Sequence, residues 1–199
     1  MRVVVIGATG TIGKAIVQAF TPRHEVVPVS RRGDQSADLE DPKSIDRLYR
    51  MLGRIDAVIC AAGEAKFAPL AQLTDEDFAF AVRSKLVGQV NVIRLGLGYV
   101  ADGGSITVTS GILATHAVPG SGAVSLVNAG VEGFVRAAAL EAPRRIRVNA
   151  VSPAWVAETL QALGMPLTGG LPAAVVAQAY VRSVEGNQSG AILRPGVGS

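Results

Sequence analysis

The chain has 199 residues, of which 49% are hydrophobic and 5% aromatic, and its formal net charge is +3. This length and composition favour one domain spanning 1–199, and no apolar run approaches the ~18 uninterrupted residues of a membrane span. The dispersed basic residues do not form an aromatic-interleaved basic stripe, so a nucleic acid partner is not expected. An N-terminus that turns Gly-rich after a short apolar run is unlike a cleavable signal, and we expect a cytoplasmic protein.

The first part of the chain alternates short apolar runs with amphipathic segments. β-branched runs without polar interruption are typical of buried strands, and apolar residues at helical spacing follow them. Asp41 is placed to cap the second helix. The predicted order is strand, helix, strand, helix, strand, over Arg2 to Ile6, Thr11 to Phe20, Glu25 to Val29, Pro42 to Leu52 and Ile55 to Ala61.

The same alternation continues in the second part. Thr74 and Asp77 have the spacing of a capping arrangement, and helical periodicity runs from there through Leu95. Continuous apolar strands separated by amphipathic helices predict a parallel sheet covered on both faces. We therefore expect an α/β fold with a doubly wound (Rossmann) parallel sheet, in three αβα layers, as a single domain. The remaining predicted elements are a strand over Ser105 to Thr109, a helix over Val124 to Leu140 and a strand over Arg147 to Val151.

The turn after the first strand reads "GATGTIG" and places glycines at 7, 10 and 13. Glycine permits a close approach of the backbone, and the amides at a helix N-terminus favour a phosphate. The alternative is that these glycines only make a tight strand-helix turn. The candidate cofactor-binding residues here are Gly7, Thr9, Gly10, Thr11 and Ile12.

The second strand is followed by "SRRGD", with Ser30, Arg31 and Arg32 where a carboxylate would bind the ribose of NAD. A hydroxyl and two guanidinium groups can instead bind a 2′-phosphate through charge-assisted contacts. NADP(H) is therefore favoured over NAD, and the alternative is a solvated basic turn.

Five short motifs occur in register along most of the chain: "GATGTIG", "SADLED" at 36–41, "ICAAG" at 59–63, "GSITVTSG" at 104–111 and "RIRVNAVSPAW" at 145–155. In that order and spacing they resemble the short-chain dehydrogenase/reductase superfamily. The resemblance implies an oxidoreductase that uses NADP(H), acts on a small-molecule carbonyl or alcohol substrate and forms a homodimer or homotetramer. It also implies that Asp38 and Leu39 lie beside the adenine, that Ala61, Ala62 and Gly63 follow the cofactor's ribose, and that Pro153, Trp155 and Val156 lie near the nicotinamide.

The catalytic positions of that superfamily are changed in this chain. The resemblance places Val124 where the tyrosine belongs and Asn128 where the lysine belongs, and neither side chain can transfer a proton. It places Gly111 at the serine position, one residue after Ser110, and Lys85 at the asparagine position. The expected divergence is thus the loss of the whole Asn-Ser-Tyr-Lys set.

Lys85 and Ser110 are the candidate catalytic residues that remain. A lysine whose pKa is lowered by burial can donate a proton, and a hydroxyl can orient a carbonyl. The alternatives are that the Lys85 ammonium contacts only a cofactor hydroxyl or solvent, and that Ser110 bonds only the backbone. His116 can also orient a carbonyl, although an exposed loop histidine is the simpler interpretation.

Three functions remain open on the sequence. The first is a divergent NADP(H)-dependent oxidoreductase with a relocated proton donor. The second is a catalytically inactive NADP(H)-binding sensor or regulatory protein. The third is a structural subunit that has lost cofactor binding, against which the glycine turn and the Arg31-Arg32 pair argue.

Overall fold

The computed structural model describes residues 1–33, 35–162, 164, 166 and 168–196. Six strands form one parallel sheet in the order β2-β1-β3-β4-β5-β6. The central strands are almost wholly buried because helices cover both faces, as the uninterrupted apolar runs predict. The strands are β1 Arg2–Ile6, β2 Glu25–Val29, β3 Ile55–Cys60, β4 Val100–Thr109, β5 Arg147–Val151 and β6 Ile192–Leu193.

Seven α-helices connect or follow the strands in the described part of the chain. Two of the predicted caps are confirmed: the Asp41 carboxylate accepts from the Lys43 amide, and Thr74 and Asp77 form a reciprocal capping box. A π-helical turn at Val82–Val87 joins the third helix to the fourth without a break. The helices are α1 Thr11–Phe20, α2 Pro42–Leu52, α3 Asp75–Ala81, α4 Gly88–Gly96, α5 Gly122–Glu141, α6 Ala157–Ala162 and α7 Ala173–Glu185.

The helices divide into two layers, which confirms the three-layer prediction. Helices α1 and α7 pack on one face of the sheet, with Phe20 and Tyr180 among the largest fully buried side chains. Helices α2, α4 and α5 pack on the other face, around residues such as Ile45, Ile93 and Val131. Each layer buries an apolar stripe against continuous apolar strands, and this burial is the main source of the domain's stability.

Two of the predicted elements differ from the structure. β4 begins at Val100, five residues before the predicted strand, because Val100 pairs with Ile55 although exposed residues at 102–103 interrupt the apolar pattern. The helix predicted to run from Thr74 to Leu95 contains the π-helical turn. One extra residue in a turn hardly changes the apolar stripe, so the sequence pattern did not indicate it. The Gly- and Pro-rich segment at 165–172, which suits a loop, falls partly outside the described residues, which omit 165 and 167.

Helix α5 is long and apolar enough to span a membrane by length and composition, with a mean hydropathy of 1.3. No such segment was expected, because charged and polar residues interrupt the apolar run. In the structure α5 lies against β5 and buries Val127, Val131 and Val135 in the domain. We therefore interpret it as a core helix of the α/β domain.

Candidate functional site

The strand order reverses at β1, which has β2 on one side and β3 on the other. Ligands of open parallel sheets bind at such a point, beyond the carboxyl ends of the strands. A cavity of about 320 Å³ lies there. It brings together most of the predicted cofactor residues, namely Gly7, Thr9, Gly10, Ser30, Arg31, Asp38, Leu39, Ala61, Ala62 and Gly63, and adds Glu40, Glu64 and Ser84.

The glycine turn leaves no room for side chains at two of its positions. Gly7 has a φ of +86°, and a Cβ there would lie 2.7 Å from the Ala61 carbonyl oxygen. A Cβ on Gly13 would lie 2.0 Å from the Gly7 carbonyl oxygen, which is far inside van der Waals contact. Gly10 caps α1 without a side chain, so no side-chain acceptor satisfies the first amides of this ten-residue helix. The turn therefore offers a backbone cradle for an anion, as the sequence predicted.

A second cavity adjoins the first and is lined by Thr9, Ser30, Arg31 and Arg32. Two guanidinium groups and two hydroxyl groups border it, and none of these lining residues is acidic. Arg31 also lines the first cavity, where its Nη2 lies 3.1 Å from the Glu64 Oε1 atom. The chemistry of this basic cavity suits a phosphate group better than a bare ribose hydroxyl pair.

A third cavity, of about 210 Å³, lies beyond the carboxyl ends of β4 and β5 and beside α5. Most of its wall is apolar, and its polar groups come from Lys85, Ser110, Asn128 and Thr159. The four positions that the resemblance assigns to the catalytic residues, 85, 111, 124 and 128, therefore meet in one cavity. The lining is Ile12, Lys85, Ser110, Gly111, Ile112, Leu113, Val124, Asn128, Pro153, Ala154, Trp155, Val156 and Thr159.

Ser110 is 3% exposed and its hydroxyl is engaged inside the protein. Its Oγ lies 3.0 Å from the Glu132 Oε1 atom and 3.2 Å from the Asn128 carbonyl oxygen, and it donates its proton to this acceptor pair. A hydroxyl whose proton is held in this way offers only lone pairs to a ligand. Ser110 is thus placed to accept a hydrogen bond from a bound group.

Glu132 and Arg194 complete a buried network that the sequence analysis missed. The Glu132 carboxylate is almost fully buried and lies 2.9 Å from Arg194 Nη2 and 3.4 Å from Arg136 Nη2. A lone acidic residue in the middle of the apolar helix α5 is the signal that was available in the sequence, because a buried carboxylate requires a partner. Its main partner follows the last strand, 62 residues further along the chain.

Gly111 and Asn128 fit each other closely. A Cβ on Gly111 would lie 2.9 Å from the Asn128 Nδ2 atom, so the amide fills the space that a side chain at 111 would need. Asn128 Oδ1 is buried and has no hydrogen-bond partner among the described residues. Such an amide is available to a ligand in the cavity.

Lys85 lies on the π-helical turn and is half-buried. Burial lowers the pKa of its ammonium group, and the nearby Cys60 opposes this lowering. No hydrogen bond or ion pair of its Nζ atom is found in the described part of the chain. Gly63 lies against the backbone of Lys85, so that a Cβ added at Gly63 would lie 2.9 Å from the Lys85 Cα atom. The π-helical turn therefore packs closely against the segment that follows β3.

The other candidate proton donors lie elsewhere or are engaged. His116 is exposed, bonds Thr115 Oγ1 at 2.9 Å and does not line the third cavity. The hydroxyl of Tyr180 lies 2.6 Å from Thr109 Oγ1, and burial raises the pKa of this phenol. The remaining tyrosines, Tyr49 and Tyr99, bond Val92 O and Asp46 Oδ1. Unlike His116 and the three tyrosines, Lys85 lines the third cavity.

Trp155 borders the same cavity at the carboxyl end of β5. Its ring packs edge-on against Phe67, with centroids 6.0 Å apart and an interplanar angle of 71°. Phe67 is 47% exposed, so the aromatic pair forms part of the rim where the cavity meets solvent. The structure thus places Trp155 at the rim of the third cavity, and its position near a nicotinamide stays a prediction.

Comparisons with known proteins relate the chain to oxidoreductases. A family model described as enoyl-(acyl carrier protein) reductase matches residues 2–189. A hydroxynaphthalene reductase of Aspergillus fumigatus is 34% identical over 113 residues, which cover 56% of this chain and 41% of that protein. The chain spans about half the length of the first curated relatives it matches.

Two solved structures cover nearly the whole chain. The protein lin1944 of Listeria innocua is 37% identical and superposes with a TM-score of 0.93 over 98% of both chains. A small-chain dehydrogenase in complex with NADPH is 26% identical and superposes with a TM-score of 0.86 over 98% of this chain and 95% of that one. Together with the sheet order and the cavity at its switch point, these matches show that the chain belongs to the short-chain dehydrogenase/reductase superfamily.

Proposed function

We propose that this protein is a cytoplasmic NADP(H)-dependent oxidoreductase that acts on a small-molecule carbonyl or alcohol. The observation that carries the cofactor assignment is the basic cavity of Thr9, Ser30, Arg31 and Arg32 beside the glycine turn. A 2′-phosphate is the group that distinguishes NADP from NAD, and this cavity supplies the charges that favour it. The NADPH complex of a relative with the same fold supports the assignment.

The residues present fit a dinucleotide along its length. The Gly7–Gly13 turn suits the pyrophosphate, since added Cβ atoms would fill its cradle. Asp38 and Leu39 line the adenosine end, and Ala61 to Gly63 continue the wall along β3. Pro153 to Val156 line the third cavity, where the nicotinamide would lie. When bound, NADPH supplies the hydride for reduction of a carbonyl carbon.

The third cavity supplies the groups that act on the substrate. Its apolar walls lower the local polarity, which strengthens the polar contacts made against them. The Lys85 ammonium donates a proton to the developing alkoxide, a role favoured by the lowered pKa. The free amide of Asn128 orients the carbonyl oxygen or a cofactor hydroxyl, and Ser110 accepts a hydrogen bond.

Replacing Arg31 with alanine should weaken NADPH binding about ten-fold and leave NADH binding within about two-fold, because one charge-assisted contact to the phosphate is lost. Titration of purified protein with each cofactor measures both affinities. Arg47→Ala is the matched control, since Arg47 is exposed and pairs with Asp41 outside the three cavities. Equal weakening of NADPH and NADH by Arg31→Ala would remove the basis for NADP specificity.

Replacing Lys85 with methionine should reduce turnover of an accepted carbonyl at least about 100-fold, the typical effect of losing a general acid. The donor must be protonated, so kcat/KM of the unmodified protein should fall as pH rises through the lowered pKa of Lys85, below the ordinary 10.5. A carbonyl panel followed by NADPH absorbance across pH measures this. Lys43→Met removes an exposed lysine of α2 and serves as the control.

The Lys85→Met variant also tests how Lys85 affects the stability of the fold. The folded state binds the Lys85 proton more weakly than the unfolded chain does, so stability should increase as pH rises through the folded pKa and level off above 10.5. Lys85→Met should abolish this rise and stabilise the fold at neutral pH. A turnover that survives in Lys85→Met would exclude the lysine as donor whatever the stability change.

A second candidate function is an inactive NADP(H)-binding sensor or regulator. The observation that favours it is Val124, an aliphatic side chain in the cavity where the family carries its tyrosine, while the hydroxyls of all three tyrosines are engaged elsewhere. The cofactor titration and the carbonyl panel separate the two functions. NADPH binding without turnover on any carbonyl supports the sensor, and turnover that depends on Lys85 supports the reductase.

We also propose that the protein forms a homodimer or homotetramer through α5. Leu126 and Leu140 of this helix are exposed, and Val87 is exposed on the adjacent π-helical turn. Apolar side chains on one face of a helix layer are typical of subunit contacts. Sedimentation of the unmodified protein and of Leu126→Glu measures the state, and a monomer in both samples would contradict the assembly.

A further inference from the structure

One ion pair spans the entrance to the nucleotide cavity. Arg31 follows β2 and Glu64 follows β3, and β1 lies between these two strands in the sheet. The 3.1 Å contact between the two side chains therefore crosses above the carboxyl end of β1. Both residues line the cavity that holds the glycine turn. A nucleotide that enters this cavity meets the ion pair.

The backbone of Glu64 is held by hydrogen bonding and packing, whereas its side chain is mostly exposed. The amide of Glu64 donates to Ser84 Oγ at 3.2 Å, and the preceding Gly63 packs against the Lys85 backbone. The Arg31 and Glu64 side chains are 62% and 63% exposed. An ion pair this exposed opens at little cost, so the contact can exchange for another anion.

Arg31 takes part in both of the neighbouring cavities. It lines the basic cavity together with Arg32, and it pairs with Glu64 in the cavity of the glycine turn. The other acidic side chains that line the glycine-turn cavity have different partners: Glu40 pairs with Arg83 at 3.6 Å, and the Asp38 carboxylate accepts from the Glu40 amide. Among the described residues that line this cavity, Glu64 is thus the carboxylate that pairs with Arg31.

We propose that Glu64 competes with the 2′-phosphate for Arg31 and thereby sets the preference between NADPH and NADH. The phosphate must displace the carboxylate from the guanidinium, and the displaced carboxylate remains near it with the same sign of charge. NADH meets the same ion pair but carries no phosphate that competes with Glu64 for the guanidinium. Glu64 therefore lowers the affinity for NADPH selectively, and this role rests on the proposed NADP(H) binding.

The Glu64→Gln variant tests this role. It should bind NADPH about two- to five-fold more tightly, the range that loss of an exposed competing ion pair permits, with NADH unchanged within about 1.5-fold. Titration by cofactor fluorescence measures both affinities without turnover. The gain in selectivity should shrink at high salt, because exposed charges are screened.

Two further variants separate competition from a general charge effect. Glu40→Gln removes an equal charge from the same cavity without releasing Arg31, so its effect on NADPH should be smaller. In an Arg31→Ala background, Glu64→Gln should have no selective effect, because the two changes act through one contact. Equal effects of both glutamines, or an undiminished gain without Arg31, would overturn the competition.

The outcomes also distinguish this role from the proposed function. If NADPH binds and Glu64→Gln leaves selectivity unchanged or weakens NADPH, the role of Glu64 fails and the NADP(H) assignment stands. If the unmodified protein binds neither cofactor, the proposed function fails and the role of Glu64 fails with it.

Discussion

Replacing Gly13 with alanine is expected to lower the free energy of unfolding by about 3 kcal/mol, the upper range for overpacking, and to abolish NADPH binding. The added Cβ would lie 2.0 Å from the Gly7 carbonyl oxygen and 2.9 Å from the Ala8 Cα atom. Both contacts are backbone atoms, so α1 or the turn must move as a unit. Chemical denaturation measures the stability, and fluorescence titration measures the cofactor affinity.

Alanine substitutions at two other glycines serve as controls for Gly13→Ala. Gly133 lies in α5 with nothing within 4 Å of an added Cβ, so Gly133→Ala should stabilise the protein. The expected gain is about 1 kcal/mol from helix propensity. Gly10→Ala would make only an ordinary contact at 3.5 Å, so it should spare the fold. A Gly13→Ala protein as stable as the parent would show that the turn relaxes freely.

Replacing Arg194 with alanine is the second large expected effect, a loss of about 2 kcal/mol in the free energy of unfolding. Truncating one partner of a buried ion pair leaves the other charge without compensation. Glu132 is 3% exposed, and Arg194 supplies its shorter ion pair at 2.9 Å. The loss is smaller than for a fully buried pair because Arg194 is 30% exposed and a second arginine remains.

Arg136→Ala is the matched variant on the same carboxylate. Arg136 is 57% exposed and its contact is 3.4 Å, so its removal should cost only about 0.5 kcal/mol. Thermal and denaturant unfolding of both variants gives the comparison. Equal losses would mean that the carboxylate depends on total positive charge, and no loss in either would mean that water compensates Glu132.

Much of the fold was predictable because its signals are local. Short apolar runs define β1 and β2 to the residue, and periodic apolar residues define α1 and α2. β6 was not predicted, since two half-buried residues give no period. The start of β4 was missed because it depends on the pairing of Val100 with Ile55. The π-helical turn was missed because one extra residue hardly changes the apolar period.

Two parts of the site were predictable from the local sequence. The glycine turn and the basic turn were found from residue type and their place after a strand, and the structure brings them together. The contacts of Ser110 could not be predicted, because its hydroxyl bonds Glu132, whose own partner Arg194 follows the last strand. Long-range partners of this kind depend on the completed fold.

The close fit of Gly111 and Asn128 couples the side chains that each position can carry. A serine at 111 would crowd the amide at 128, so position 111 can gain a side chain only if the residue at 128 also changes. Substitutions at the two positions are therefore epistatic. A single change at 111 is disfavoured, and the packing of this pair limits which residues the cavity wall can carry.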